Sequence, residues 1–145
     1  MGVGEGAIFG AHWAVRDWKF PSVGSVKQGQ DVKGIVMVSP KKVFKGVAMD
    51  AVVKDPMLLQ LPILIVDGAE APNAKESERL AKRIEKSKRP FTMPGGKVIS
   101  LQLAPTRLTG PVLVKGVKAV GPAIAKFITA NIDGAAKRNA WVKRP

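Results

Sequence analysis

The chain has 145 residues, of which 46% are hydrophobic and 24% charged, a composition typical of one globular domain rather than of a disordered chain. It has no cysteine and a single histidine, His12, which excludes a disulfide framework, a thiolate metal site and most zinc arrangements. The formal net charge is +13. Residues 1–70 hold eight Lys or Arg against seven Asp or Glu, whereas residues 71–145 hold sixteen against four. The positive electrostatic field of the second half favours anionic partners, but it does not distinguish nucleic acid, acidic lipid and acidic protein.

The first thirty residues are predicted to form an N-terminal arm and loop. The stretch MGVGEGAIFGAHWAVRDWKF lacks a basic leader and carries charged residues too early for a secretory signal, so we expect a soluble, unprocessed chain. No run of eighteen apolar residues occurs, and no membrane span is expected. Trp13, Trp18 and Phe20 lie close together before Pro21, and we interpret these aromatic residues as part of a partner interface.

Residues 31–110 are predicted to form a β-rich core. The run VKGIVMVSP is β-rich and ends at Pro40, VFKGVAMDAVVKDP offers one long or two short strands, and MLLQLPILIVDG supplies a buried strand. Pro62 within that last run indicates an edge strand or a bulge. The spacings favour an antiparallel layer, and the predicted fold class is α+β with a β-barrel or sandwich-like layer, one basic surface helix and a C-terminal helix.

The stretch NAKESERLAKRIEKSKRP predicts a helix over about 74–89. Asn73 and Glu76 have the spacing of a capping box, and Pro90 marks the end. Apolar and small residues share a narrow face, and basic residues occupy much of the rest: Arg79, Lys82, Arg83, Lys86 and Lys88. Two interpretations stay open here, a solvated charged face and a face that binds a partner. In the second, Arg79, Lys82, Arg83 and Lys86 are the candidate contacts with an anion or nucleic acid.

The glycine pair Gly95-Gly96 is predicted to form a turn. A phosphate-binding loop would need glycine at position 91 and Ser or Thr at position 98, where the chain has Phe91 and Val98, and it would lead into a helix. The following run KVISLQLAP alternates with a period of two and therefore predicts a strand. No nucleotide cofactor is expected.

The last part of the chain, 111–145, is predicted to contain a helix and a basic tail. Apolar residues recur at helical spacing from Val117 to Ile132, with Pro122 suited to the first turn. Beyond them AAKRNAWVKRP carries four basic residues around Trp141. Trp141, Lys143 and Arg144 complete the candidate partner interface.

The order of a β layer, the helix SERLAKRIEKSKRP and the return strand FTMPGGKVISLQLAP resembles small tail and baseplate subunits of tailed bacteriophages. The resemblance covers residues 30–105 approximately and rests on pattern, with no diagnostic motif. It implies a β-barrel or sandwich domain with one helix, and a non-enzymatic structural subunit of the virion, assembled in the host cytoplasm. Its partners would be other protein subunits, bound through the terminal arms.

The alternative is a cytoplasmic nucleic-acid-binding protein of ribosomal or nucleoid type, in which the basic second half contacts the phosphate backbone. The second half has only Phe91, Phe127 and Trp141 for base stacking, so this alternative predicts backbone contact. An enzyme is not expected, because a triad of His12, Asp17 and a serine has neither a nucleophile elbow nor a second line of evidence. No catalytic, cofactor-binding or metal-binding residue is assigned.

Overall fold

The computed structural model describes residues 1–20, 31–88 and 98–133, and its centre is a four-stranded sheet. The strands of this main sheet are β1 (Gly2–Val3), β2 (Ile35–Val38), β5 (Ile63–Gly68) and β6 (Ile99–Ala104). A two-stranded hairpin is formed by β3 (Val43–Phe44) and β4 (Val47–Ala48). The helices are α1 (Glu5–Trp18), α2 (Pro56–Leu59), α3 (Ala74–Lys88), α4 (Gly110–Gly116) and α5 (Val120–Ile128). No helix in the described ranges is long and apolar enough to cross a membrane.

All neighbouring strands of the main sheet run parallel, in the order β1-β2-β5-β6. The predicted antiparallel barrel or sandwich-like layer is therefore wrong: the described residues form a parallel sheet with helices on both faces, and only the β3–β4 hairpin is antiparallel. The apolar runs GIVMV and PILIV are continuous because both faces of β2 and β5 are buried, which is typical of parallel sheets. Pro62 lies just before β5, so it interrupts no strand, and β5 is central rather than an edge.

Alternate residues of β2 and β5 enter two separate hydrophobic cores. Ile35, Met37 and Ile65 face the layer of α1, α2 and α3, where the core also contains Ile8, Leu58 and Ile84. On the other face, the sheet residues pack against α4 and α5: Val36, Val38, Leu64 and Val66 against Leu113, Val120, Ile124 and Phe127. The predicted C-terminal helix corresponds to α5, which continues into a π-helical turn, Thr129–Asp133.

Residues 2–18 of the predicted N-terminal arm form β1 and α1 and pack into the folded core. Gly2 and Val3 pair with Met37 and Val38, so the glycine-rich start supplies an edge strand. Helix α1 follows at once and buries Ala7, Ile8 and Ala11 against the sheet. A side chain at position 2 would put its Cβ 2.5 Å from the Gly6 carbonyl oxygen, so glycine is required where β1 passes the first turn of α1.

The hairpin lies on the same side of the main sheet as α1 and α3, since Phe44 and Val47 pack against the core of that face. Its turn is Lys45-Gly46, and both residues have positive φ, 46° and 81°, as a tight two-residue hairpin turn requires. His12 of α1 is bonded through Nε2 to the carbonyl oxygen of Ala48, at 3.0 Å. The hairpin is thereby linked to α1, and Asp50, which follows the hairpin, pairs with Arg83 of α3.

Candidate nucleic-acid interface

Helix α3 presents a continuous basic face to solvent. Five cationic residues fall within an arc of about 100° when consecutive residues are placed 100° apart on the helix. They are Lys75, Arg79, Lys82, Arg83 and Lys86, and all five are exposed. The opposite face buries Ala74, Ser77, Ala81 and Ile84 against the sheet. The structure thus brings together all four residues that the sequence proposed as anion contacts, and it adds Lys75.

Lys88 was expected on the exposed basic face, and this expectation is wrong. Its side chain is buried, and Nζ donates hydrogen bonds to the carbonyl oxygens of Leu59 (2.7 Å) and Leu61 (2.6 Å). Burial lowers the pKa of Lys88 to about 8, because desolvation penalises the ammonium form. Lys88 ties the end of α3 to the segment that leads into β5 and is not available to a partner.

Only two of the five cations on the α3 face form ion pairs within the described residues. Arg79 pairs with Glu76 at 2.6 Å, and Arg83 pairs with Asp50, which follows the hairpin. Both pairs are solvent-exposed, and exposed pairs contribute about 0–1 kcal/mol each, so a phosphate can replace the carboxylate at little cost. Lys75, Lys82 and Lys86 have no carboxylate partner in this part of the chain.

A cleft of about 190 Å³ lies between α3 and the residues that flank the hairpin, and we call it the basic cleft. Lys41, Lys42, Arg79 and Arg83 contribute cations to its lining, against two carboxylates, those of Asp50 and Glu76. An adjoining hollow shares Asp50 and Arg83 with the cleft and adds Lys54 and Lys86. The positive surface therefore extends from α3 across the cleft to the two lysines that precede the hairpin.

Lys41 connects the basic cleft to α1. Its Nζ donates to Glu5 Oε1 at 2.5 Å, and this hydrogen bond lowers the pKa of Glu5. Glu5 lies in the first turn of α1, so the ion pair places the start of that helix beside the cleft.

The carboxyl edge of the main sheet is where α/β proteins commonly bind ligands, and here it holds a buried polar cluster. Asp67, at the end of β5, accepts hydrogen bonds from Ser39 Oγ (2.8 Å), Ser77 Oγ (2.6 Å) and the Gly68 amide (2.9 Å). Ser39 Oγ in turn accepts from the Gly110 amide at 2.8 Å. Asp67 is inaccessible, and both of its oxygens are bonded within the chain. This cluster joins β2, β5, α3 and α4, and it offers no group to a ligand.

The residues proposed as a partner interface have different surroundings. Trp13 is 62% exposed and Phe20 is 47% exposed. Trp18 is partly buried: its Nε1–H donates to the Val32 carbonyl at 2.8 Å, and Lys33 Nζ lies 5.9 Å from the ring centroid. Trp18 therefore stabilises this chain internally. Trp141, Lys143 and Arg144 lie outside the described residues, as does the predicted Gly95-Gly96 turn.

Sequence reasoning missed the exposure of Phe9 and its contact with the partly buried Phe44. Phe9 is 49% exposed, and its ring meets that of Phe44 edge to face, with centroids 6.0 Å apart. Phe9 precedes Trp13 by one helical turn, a spacing of four that could have been found once residues 5–18 were recognised as a helix.

Within the described ranges, no three His, Asp or Glu side chains lie close enough together to hold a metal ion. The chain matches no family model, and no curated protein or solved structure is significantly similar to it. The resemblance to phage tail and baseplate subunits stays a prediction, and any functional assignment depends on the surface chemistry described above.

Proposed function

We propose that this protein binds the phosphate backbone of nucleic acid through α3 and the neighbouring lysines of the hairpin segment. The observation that carries the proposal is the single exposed face with Lys75, Arg79, Lys82, Arg83 and Lys86. Within this arc every charge is positive, although Glu76 and Glu85 are exposed beside it, and the positive charge continues into Lys41 and Lys42 across the basic cleft.

The dimensions of the basic face suit a polyanion. From Lys75 to Lys86 the helix rises about 16 Å at 1.5 Å per residue. Phosphates of one strand of a duplex repeat about every 3.4 Å along the axis, so the face runs alongside several of them. Lysine and arginine side chains of this length release counterions when they meet phosphates, which makes the affinity fall steeply with salt.

The test is the affinity of the purified protein for a fluorescein-labelled 20-base-pair duplex, measured by anisotropy over a series of salt concentrations. The double variant Lys82→Glu, Lys86→Glu changes two cations that have no ion pair in the described structure. We expect it to bind about 100-fold more weakly near 0.1 M salt, with the log–log salt slope reduced by about two, because each lost phosphate contact contributes about 0.9 to the slope.

Lys115→Glu, Lys118→Glu is the matched control, since it makes the same charge change at exposed positions in the other helical layer. We expect its affinity to fall by less than about threefold, through the change in overall charge alone. Equal losses of duplex affinity in the two double variants would show that the overall charge of the protein attracts the duplex. This result would overturn the assignment of the binding site to α3. Absence of binding by the unmodified protein at 0.05 M salt would refute the function.

A second candidate, the non-enzymatic assembly subunit, is favoured by one observation, the exposure of Trp13. Aromatic side chains are enriched in the centres of protein interfaces, and an exposed Trp beside an exposed Phe is the kind of anchor that subunits use. Its test is the molar mass in solution, by light scattering over a range of protein concentrations. A mass increase that Trp13→Ala removes would support self-assembly.

A further inference from the structure

The fold places exposed aromatic rings of α1 on the same side of the sheet as the basic face of α3, although α1 and α3 lie in different halves of the sequence. Glu5, Phe9 and Trp13 follow one another at intervals of four along α1, so they form one row about 12 Å long. At the start of the row Glu5 binds Lys41 of the basic cleft. One end of the row therefore lies at the basic cleft, and the two exposed rings of Phe9 and Trp13 follow along the helix.

The hairpin provides the second link between the aromatic rings and the cations. Phe44 packs edge to face on Phe9, and Lys45 Nζ lies 5.4 Å from the centroid of the Phe44 ring. Lys41 and Lys42, just before β3, line the cleft opposite Arg79 and Arg83. We call Phe9, Trp13 and Phe44 the aromatic row.

The charges around the aromatic row indicate the chemistry of the partner that would bind there. Arg16 is exposed on α1 three residues after Trp13, and Lys45 is exposed on the hairpin next to Phe44. Glu5, the carboxylate of the row, is already neutralised by Lys41. A partner that brings both negative charge and flat apolar faces complements this surface better than an apolar protein surface does.

We propose that the aromatic row stacks unpaired bases, so that the preferred ligand is single-stranded nucleic acid whose phosphates lie on the basic cleft and α3. This inference rests on the proposed function and adds the strandedness of the ligand. In a duplex, bases are stacked on each other and their faces are covered, whereas an unpaired base can lie on a Trp or Phe ring. Stacking of this kind contributes about 1–3 kcal/mol per base and tolerates any sequence.

The experiment compares three ligands: a fluorescein-labelled 16-nucleotide oligo(dT), a 16-base-pair duplex, and inorganic polyphosphate as an unlabelled competitor. Oligo(dT) has bases that can stack, the duplex presents paired bases, and polyphosphate has charge without bases. We expect the unmodified protein to bind oligo(dT) at least fivefold more tightly than the duplex.

The variants are Phe9→Ala, Trp13→Ala and their combination, with Val112→Ala as the matched truncation of an exposed apolar residue in the other helical layer. Trp13→Ala should weaken oligo(dT) binding by about 5- to 100-fold. It should leave the affinities for the duplex and for polyphosphate within twofold of the unmodified protein. Val112→Ala should leave all three affinities unchanged.

The failures of the two proposals are distinguishable. If polyphosphate and duplex bind and Lys82→Glu, Lys86→Glu weakens them, but Trp13→Ala leaves oligo(dT) affinity unchanged, the stacking inference is overturned and phosphate binding stands. If none of the three ligands binds, phosphate binding fails and the stacking inference fails with it. If Trp13→Ala instead abolishes self-association and leaves oligo(dT) binding intact, the aromatic row is a protein interface, and the inference is overturned in favour of the assembly subunit.

Discussion

Helices α1 and α3 pack on the same face of the main sheet, yet they present different chemistry to solvent. Both bury small and aliphatic residues in one core, with Ile8 and Ile84 each at 0% exposure. Outside, α1 exposes Phe9 and Trp13, whereas α3 exposes five cations within one arc, with Glu76 and Glu85 exposed beside them. The fold constrains the inner faces of both helices and leaves the outer faces free, so the difference between the outer faces reports on what the protein contacts.

The ends of the two helices are secured in related ways. The last residue of α1, Trp18, donates a hydrogen bond to the backbone carbonyl of Val32, and the last residue of α3, Lys88, donates to the carbonyls of Leu59 and Leu61. In each case a long side chain reaches the segment just before a central strand, β2 or β5. The indole of Trp18 makes its hydrogen bond as a neutral group, whereas the ammonium of Lys88 must lose its hydration to make its bonds.

The largest expected effect comes from truncating a side chain in the core that α1 and α3 share. Ile8→Ala and Ile84→Ala should each lower the free energy of unfolding by about 2–5 kcal/mol, because both side chains are fully buried and leave a cavity. Urea denaturation followed by circular dichroism measures this, with Val112→Ala as a surface control expected within about 0.5 kcal/mol of the unmodified protein. A loss below about 1 kcal/mol for Ile8→Ala alone would restore the interpretation of the N-terminal segment as an arm.

A second effect, a dependence of stability on pH, is expected from Lys88 at the end of α3 and not from Trp18 at the end of α1. The pKa of Lys88 is lowered from 10.5 in the unfolded chain to about 8 in the folded one, so between these values the unfolded state binds more protons. Stability should therefore rise from pH 8 to 10.5, by up to about 3 kcal/mol, and this gain should be absent below pH 8. The chain has no Tyr or Cys, whose side chains would titrate in the same window.

The measurement is urea denaturation at pH 7, 8, 9 and 10.5. Lys88→Met should abolish the rise, whereas Lys115→Met, at an exposed site, should retain it. A rise of equal size in Lys88→Met would assign the pH dependence to other groups.

A smaller effect is expected at the end of α1. Trp18→Phe removes the indole N–H that bonds Val32, and it should cost about 1 kcal/mol, the net contribution of one partly buried hydrogen bond. Trp13→Phe is the matched control, because Trp13 is exposed, and its stability should stay within about 0.5 kcal/mol. If both variants lost the same stability, the two tryptophans would contribute equally to the fold. Trp18 would then not differ from Trp13 in stabilising the chain internally.

The smallest effect concerns the exposed ion pair that joins α3 to the segment after the hairpin. Asp50→Asn removes the partner of Arg83 and should change the free energy of unfolding by no more than about 1 kcal/mol. It also removes a carboxylate from the basic cleft, so duplex affinity should rise about twofold to fivefold at 0.1 M salt. A fall in affinity would place the phosphates elsewhere than the cleft.

Local patterns predicted local elements well. The helix expected over about 74–89 is α3, because a capping pattern, a Pro-free interior and a helical period all agree on Ala74–Lys88. The strand expected after the Gly95-Gly96 turn is β6, and the basic candidates Arg79, Lys82, Arg83 and Lys86 do share an exposed face.

What the sequence could not supply is the pairing of distant segments. A continuous apolar strand suits an antiparallel core or a doubly covered parallel sheet, and only long-range contacts decide between them. Helix α1 was missed because Gly6 and Gly10 lower its intrinsic propensity, while packing of Ala7, Ala11 and Ala14 on the sheet outweighs that cost. The aromatic row depends on the Phe9–Phe44 contact across 35 positions, which no local pattern encodes.

The order β1-β2-β5-β6 has a consequence for synthesis on the ribosome. Each strand of the main sheet is added beside the strand made before it, so no later strand has to open an existing ladder. The layer of α1, α2 and α3 is also complete before β6 emerges, since α3 ends at Lys88. The opposite face is covered last, by α4 and α5. Until these helices leave the exit tunnel, Val36, Val38, Leu64 and Val66 lie uncovered on the nascent sheet, which makes this face the natural point of attachment for a chaperone.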